Sequence, residues 1–273
     1  MKKFTYILIL LLTCSAARAA TVTVGAWTPV FKGIDLASGQ QTATTGGEQN
    51  HQVLCLRVDL TDPDIVLFTT PKCTNCGSYE VLSENTSYFL EEYGLSVAVN
   101  GGNYASSLGP GDVALGTPED VYGLAISKGT VVSPNMTGYL SVMLFTTNNQ
   151  AIYIPTNSPA TNTAGIFTGI AGNHALLLRG VNLQTATPND LDPRTAIGLS
   201  QDRRYLFLMT IDGRQTGWSD GADFHDTGEW LKRFGASDGI NMDGGGSTTM
   251  SIANCVGQAV RQNRSSFVAA YGR

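Results

Sequence analysis

The sequence predicts an α+β fold: one domain with a mixed, mostly antiparallel β-sheet core and a few flanking helices. Three observations carry that expectation. Short apolar runs bounded by turn residues outnumber helical patterns. The 273 residues include 31 glycines and 10 prolines but only 14% charged residues, which favours strands and tight turns over long surface helices. No internal repeat or linker divides the chain, and 42% hydrophobic residues supply one substantial core.

At the N-terminus, Lys2 and Lys3 precede the apolar run Ile7 to Leu12, and Ala17-Arg18-Ala19 forms a small-x-small cleavage pattern. This predicts a signal peptide over 1–19 and a mature domain over 20–273. Thr13-Cys14 offers a lipoprotein alternative, disfavoured because threonine before the cysteine makes a poor lipobox. The apolar run is too short to span a bilayer and no later segment approaches that length, so no membrane insertion is expected. The expected location is periplasmic or extracellular. Cleavage removes Lys2, Lys3 and Arg18, so the 17 basic residues become 14 against 22 acidic ones, a net charge of −8. That balance speaks against nucleic acid as a partner.

Further along, Ala37 to Gly47 reads as a small-polar loop. Val53 to Asp59 and Ile65 to Thr70 read as strands about the turn Asp62-Pro63-Asp64. Ser83 to Tyr93 reads as a helix with Ser83 as N-cap and Gly94 beyond its end. Leu95 to Val99 is a buried strand that runs into Asn100-Gly101-Gly102-Asn103. Two hairpins follow, turning at Lys128-Gly129 and at Asn148-Asn149. Thr156 to Thr168 and Gln184 to Asp192 read as polar loops on either side of a strand over His174 to Val181. Thr195 to Leu199 pairs with Tyr205 to Ile211, and the second strand, apolar on both faces, belongs at the centre of its sheet. Asp226 and Glu229 suggest a capping box for a helix that ends at Phe234 before Gly235. Gly239 to Met242, Thr248 to Ile252 and Phe267 to Tyr271 complete the strands.

Four cysteines survive cleavage: Cys55, Cys73, Cys76 and Cys255. Export and an even count favour disulfides, with three pairings open. The spacing of Cys73 and Cys76 also suits half of a four-thiolate zinc site, but Cys55 and Cys255 form no second close pair. A redox role lacks a thioredoxin-like context.

Four clusters place polar groups beside glycines at the ends of apolar strands: Asn100-Gly101-Gly102, Arg194-Thr195, Asp212-Gly213-Arg214 and Asn241 through Ser247. Taken singly, three of them have bland readings as turns or surface residues. Gly244-Gly245-Gly246 is harder to dismiss, because consecutive glycines cost conformational entropy and imply a close approach to that backbone. Phosphate-loop and nucleophile-elbow patterns do not fit: no lysine follows the glycines, and Ser247 lacks the glycine two residues on. His51, His174 and His225 are scattered, which opposes a catalytic zinc, and nothing in their spacing supports a Ser-His-Asp triad.

Pro193-Arg194-Thr195-Ala196-Ile197-Gly198, Ile211-Asp212-Gly213-Arg214 and Asn241-Met242-Asp243-Gly244-Gly245-Gly246-Ser247-Thr248-Thr249-Met250, with Val99-Asn100-Gly101-Gly102 upstream, resemble the motifs of the phosphodiester glycosidase family in order and spacing. The resemblance runs from about Val53 to the C-terminus. It departs at Asn103 and Tyr104, where the family usually has aromatics, and over Ser219 to Thr227, where extra acidic residues and His225 appear. Substrate preference is therefore the least transferable property.

The resemblance implies hydrolysis of a small-molecule or glycan sugar-1-phosphodiester at the anomeric carbon. Asp243, Asp212 and Arg194 are the candidate catalytic residues. Asn100, Gly101, Gly102, Arg214, Asn241, Gly244, Gly245, Gly246 and Ser247 are the candidate substrate-binding residues. The chemistry is compatible: arginines grip a phosphate, glycine amides can add donors, and carboxylates serve an oxocarbenium-like transition state. No cofactor is implied with certainty. A divalent cation held by Asp212, Asp243 and asparagines would support P–O cleavage instead, and a non-catalytic glycan-binding protein is the other alternative.

Overall fold

A computed structural model describes residues 20–44, 48–109, 114–139, 141–155 and 162–264. The expected leader and the strand expected over Phe267 to Tyr271 lie outside the described residues. Strands dominate, and the described residues contain only two α-helices, α1 (Thr86–Glu92) and α2 (Phe224–Phe234). The fold is thus largely β rather than a balanced α+β.

A nine-stranded antiparallel sheet organises the molecule. Its order is Thr21–Val24, Ile34–Thr42, His51–Asp59, Tyr205–Ile211, Arg194–Leu199, Asp238–Asn241, His174–Leu178 and Val181–Asn182, with Thr28–Phe31 also paired to Ile34–Thr42. Tyr205–Ile211 is central, as its two apolar faces require. One face packs on α2 through Trp230, Leu231 and Phe234. The other face packs against Met143 and Phe145 of a five-stranded sheet and Met250 and Ile252 of a three-stranded one. The largest sheet is therefore buried on both sides, which accounts for the unbroken apolar runs at its centre.

Both hairpins form where expected, with Lys128, Gly129 and Asn149 at positive φ. The other expectations shift for identifiable reasons. Ala37 to Gly47 is not a loop over its first half, because Ile34–Thr42 is a paired strand. Its small residues make room for α2: a Cβ on Gly39 would lie 2.5 Å from the Trp230 ring. Ile65 to Thr70 forms no ladder. Its carbonyls are satisfied by side chains, with Asn149 Nδ2 donating to Ile65 O, Thr168 Oγ1 to Leu67 O and Ser127 Oγ to Thr69 O.

Of the loop expected over Thr156 to Thr168, residues 156–161 lie outside the described residues and 162–165 carry no strand, but its last three residues belong to the strand Ile166–Gly172, whose Gly169 lies against Leu144. The α1 cap is Asn85, not Ser83. The α2 cap is Asp223, whose side chain accepts from Asp226 N, so Asp226 and Glu229 sit inside the helix. Gly235 ends α2 in the left-handed conformation at φ 108°.

Cys73 and Cys76 form a disulfide with each other. Cys55 is buried in the core and Cys255 is exposed, both as free thiols, so neither a second bridge nor a four-thiolate site forms. No helix among the described residues is long and apolar enough to cross a membrane.

Glu119 is 6% exposed, and burial raises its carboxyl to about 7. A carboxyl raised in the fold costs stability as pH climbs from the unfolded value near 4.5 to about 7, because only the unfolded chain ionises freely there. Glu119→Gln is expected to stabilise the protein by about 1–3 kcal/mol at pH 8 and to leave it unchanged at pH 4. Denaturant titration at the two pH values measures this.

Candidate active site

Three strand ends converge: Val97–Val99 leads into Asn100, Arg194–Leu199 begins at Arg194, and Asp238–Asn241 leads into Asp243. The Asn100 side chain ties them together. Its Nδ2 donates to Asp243 O (2.9 Å), while its Oδ1 accepts from Thr195 Oγ1 (2.5 Å) and Thr249 N (3.1 Å). Asp243 N donates to Gly101 O, and Met242 N to Thr195 O. Gly102 is needed here because a Cβ would meet Ala171 O at 2.9 Å.

Asp243 lines a cavity of about 320 Å³ with Asn103, Tyr104, Ala105, Ser106, Gly109 and Tyr122. That volume lies at the lower end of small-molecule sites, roughly 300–1,000 Å³. The Asp243 carboxylate accepts from Asn103 Nδ2 at 2.7 Å and is also hydrogen-bonded by Ser247 and the Gly244 N–H. Burial nevertheless outweighs these donors and raises its pKa.

Asp212 is not part of that cavity wall. Its carboxylate is already bonded: Oδ2 accepts from Trp218 Nε1 (3.0 Å) and Arg264 N (3.2 Å), and Oδ1 from Asn263 Nδ2 (3.3 Å). Burial raises its pKa against the effect of those donors. Asn263 in turn donates to Thr248 O and accepts from Met250 N. Asp212 thereby anchors the segment that follows the triple glycine.

Arg194 is 6% exposed and lies over the Phe224 ring at 4.3 Å. Its Nε donates to Ala222 O and one terminal nitrogen to Asp190 O, with the Asp190 carboxylate 3.6 Å away. Burial lowers its pKa. Arg214, half-exposed and at φ 58°, pairs with Asp192 at 2.7 Å.

The triple glycine is packed by the chain itself. A Cβ on Gly244 would meet Pro193 O at 2.7 Å, and one on Gly245 would meet the Arg214 guanidinium at 3.3 Å. Gly245 N donates to Pro193 O, and Gly244 N serves Asp243. Two of the three amides expected for an anion nest are thus engaged internally. Asn241 is buried beneath the site, its Nδ2 donating to Asn173 Oδ1 and Met242 O.

The shared cation considered from the sequence would have to compete at Asp212 with Trp218, Asn263 and Arg264, which already bond both carboxylate oxygens. Among the described residues, Asp223, His225 and Asp226 cluster within 4.8 Å at the start of α2. Both Asp223 oxygens are taken there, by Thr187 N and Asp226 N.

Sequence reasoning missed Tyr122, Ser106 and the acceptor Asp192, which carry no local signal. Asn103 stood beside the Asn-Gly-Gly block, where its departure from the family pattern marked it.

The sequence profile of the phosphodiester glycosidase family matches residues 93–270. The chain belongs to that family. The matched span holds every candidate site residue. Among curated proteins no sequence matches significantly. Solved structures give the fold. The catalytic domain of zebrafish N-acetylglucosamine-1-phosphodiester α-N-acetylglucosaminidase, auto-inhibited by its pro-peptide, aligns with a TM-score of 0.60 at 17% identity, over 88% of this chain and 80% of that one. A hypothetical protein from Synechocystis aligns at 0.57 and 16% identity, over 94% and 63%. A Burkholderia pseudomallei protein described as a candidate exported protein aligns at 0.58 and 12%, over 89% and 93%.

Three substitutions check this geometry. Asn100→Ala orphans the Thr195 hydroxyl and the Thr249 N–H, and is expected to cost about 1–3 kcal/mol in denaturant unfolding. Gly244→Ala meets backbone that cannot yield and should cost a similar amount, about 1–3 kcal/mol. By contrast, Gly101→Ala, where a Cβ meets nothing within 4 Å, should fold normally.

Proposed function

We propose that this chain is an exported hydrolase that cleaves a sugar-1-phosphodiester at the anomeric carbon, releasing free sugar and a phosphomonoester. One observation carries the reading within the family: the desolvated Asp243 carboxylate walls a small-molecule cavity, and the stem of Arg194 lies against the adjoining Gly244. The zebrafish relative's name describes an enzyme of sugar-1-phosphodiesters. A leader over 1–19, cleaved after Ala19, would release one domain over 20–273. The Cys73–Cys76 disulfide supports an oxidising destination outside the cytoplasm.

In this reading Arg194 and Arg214 hold the phosphate, with Arg214 exchanging Asp192 for substrate oxygens. The leaving phosphomonoester is stable as an anion, so departure depends on charge stabilisation more than on protonation. Asp243 stabilises the positive charge that develops at the anomeric carbon. Asn103 orients that carboxylate, and Tyr122 and Tyr104 offer ring faces to the sugar. Asp212 acts as a positioning residue through Asn263 and Arg264. Asn100 and Asn241 support the strand ends, and Ser247 hydrogen-bonds to Asp243.

Hydrolysis of aryl and alkyl sugar-1-phosphodiesters in ¹⁸O water should place the label in the sugar. Label in the phosphate would identify P–O cleavage and overturn the proposal. Asp243→Ala should bind substrate and fail to turn it over. Equal binding with no turnover by the wild type as well would make the protein a glycan binder. Arg194→Ala should lose about 100-fold or more in kcat/KM on phosphodiesters. An unchanged value refutes its phosphate role.

A further inference from the structure

With Asp212 occupied by structural donors, Asp243 is the only carboxylate in the cavity wall among the described residues, and the cleft needs another group to handle the proton of an attacking water. The fold sets His174 beside Asn241, two residues before Asp243. In the ladder, His174 lies opposite Asn241 on one side, and Ala196 lies opposite Asn241 on the other. Directly opposed residues share a sheet face, and so does Arg194, two residues from Ala196. The contacts agree. The His174 ring stacks on Phe224 at 4.0 Å, and the Arg194 guanidinium lies over the same ring at 4.3 Å.

The hydrogen bonds fix the imidazole tautomer. Asn241 Nδ2 lies 2.6 Å from Met242 O, a carbonyl that can only accept, so this atom is the amide nitrogen. It also donates to the Asn173 side chain at 2.9 Å, which makes that atom the Asn173 oxygen. His174 Nδ1 lies 3.2 Å from the same oxygen and must therefore carry the proton. The lone pair then falls on Nε2, on an exposed residue.

We propose that His174 is a proton-accepting residue of this cleft, its Nε2 lone pair presented beside Arg194 by the Met242–Asn241–Asn173 chain, and made more basic when an anion binds at Arg194. Its chemistry rests on the hydrolase reading, whereas the tautomer and the anion coupling stand on geometry. In hydrolysis, the water oxygen bonds to the anomeric carbon while one water proton passes to Nε2. The electron pair of the breaking C–O bond leaves on the phosphate oxygen, and the imidazolium returns its proton to solvent.

The charged groups acting on the ring are Arg194 from its strand and Asp190 from the preceding loop, while α2 presents the Phe224 ring. Partial desolvation of the ring, which packs on Phe224, and the charge of Arg194 lower the pKa of His174, and Asp190 opposes them. The imidazole is therefore neutral at neutral pH. A bound phosphate offsets the arginine and raises its proton affinity.

Nitrogen-15 NMR of the imidazoles in the mature chain, assigned with His174→Gln, tests this. The expected result is an Nδ1–H tautomer with a pKa below 6.5, rising on saturation with inorganic phosphate, a rise that Arg194→Gln abolishes. An Nε2–H tautomer, or a pKa unmoved by phosphate, overturns the proposal. In turnover, His174→Gln should melt like the wild type yet lose about 100-fold or more in kcat, along with the acidic limb of the kcat/KM–pH profile. Retention of that limb also overturns it. If the wild type cleaves no sugar-1-phosphodiester, the hydrolase reading fails, and the NMR result still decides His174.

Discussion

The Asn100 amide holds the ends of three strands in one arrangement, and the rest of the site depends on that tie. Its oxygen takes a hydroxyl from Thr195 and an amide from Thr249, while its nitrogen reaches the carbonyl of Asp243. Asparagine alone among side chains of that length offers both polarities at this reach. An aspartate would set a negative charge against the Asp243 carbonyl, and an aliphatic residue would leave buried groups unpaired. Because the nine-stranded sheet is packed on both faces, its strand ends cannot drift, and the tie converts that rigidity into a fixed position for Asp243.

Much of the fold was legible because its signals are local. The turns at Lys128-Gly129 and Asn148-Asn149, the central strand Tyr205–Ile211 and the Gly235 stop all follow from backbone sterics or apolar patterning within a few residues. The misreadings share a non-local cause. Ala37 and Gly39 look like loop residues in sequence, yet they are small because Trp230, almost two hundred residues away, lies on them. Asp226 looks like a cap because nothing in sequence reveals that Asp223 reaches both Asp226 N and Thr187 N.

At the site, the four strand-end clusters were legible, but their partition was not. Asp212 and Asp243 look equivalent in sequence, each an Asp-Gly at the end of an apolar strand. The distinction comes from Trp218, Asn263 and Arg264, which surround one carboxylate, and from Asn103, which leaves the other facing a cavity. The triple glycine did require a close approach, but the approaching groups are Pro193 O and Arg214 of the same chain. Glycine there shapes the wall of the site more than it cradles an anion.

The remaining constraint is electrostatic. A half-buried carboxylate and a buried guanidinium on neighbouring strand ends would neutralise each other if they paired, and an Arg194 paired with Asp243 would have little left for a phosphate. Among the described residues no ion pair joins Asp243 to an arginine. Asp243 is bonded by neutral donors from Asn103, Ser247 and Gly244, and Arg194 by the neutral carbonyls of Ala222 and Asp190, with the exposed Asp190 carboxylate as its ion-pair partner at 3.6 Å. Asp243 is thus held without a countercharge, and Arg194 faces only an exposed carboxylate beyond direct hydrogen-bond contact, while desolvation shifts both pKa values toward neutrality. A substrate that carries an anionic phosphate and develops positive charge at an adjoining carbon would satisfy both at once. This complementarity supports the proposed sugar-1-phosphodiester over a neutral glycoside, which would bring no anion to the guanidinium.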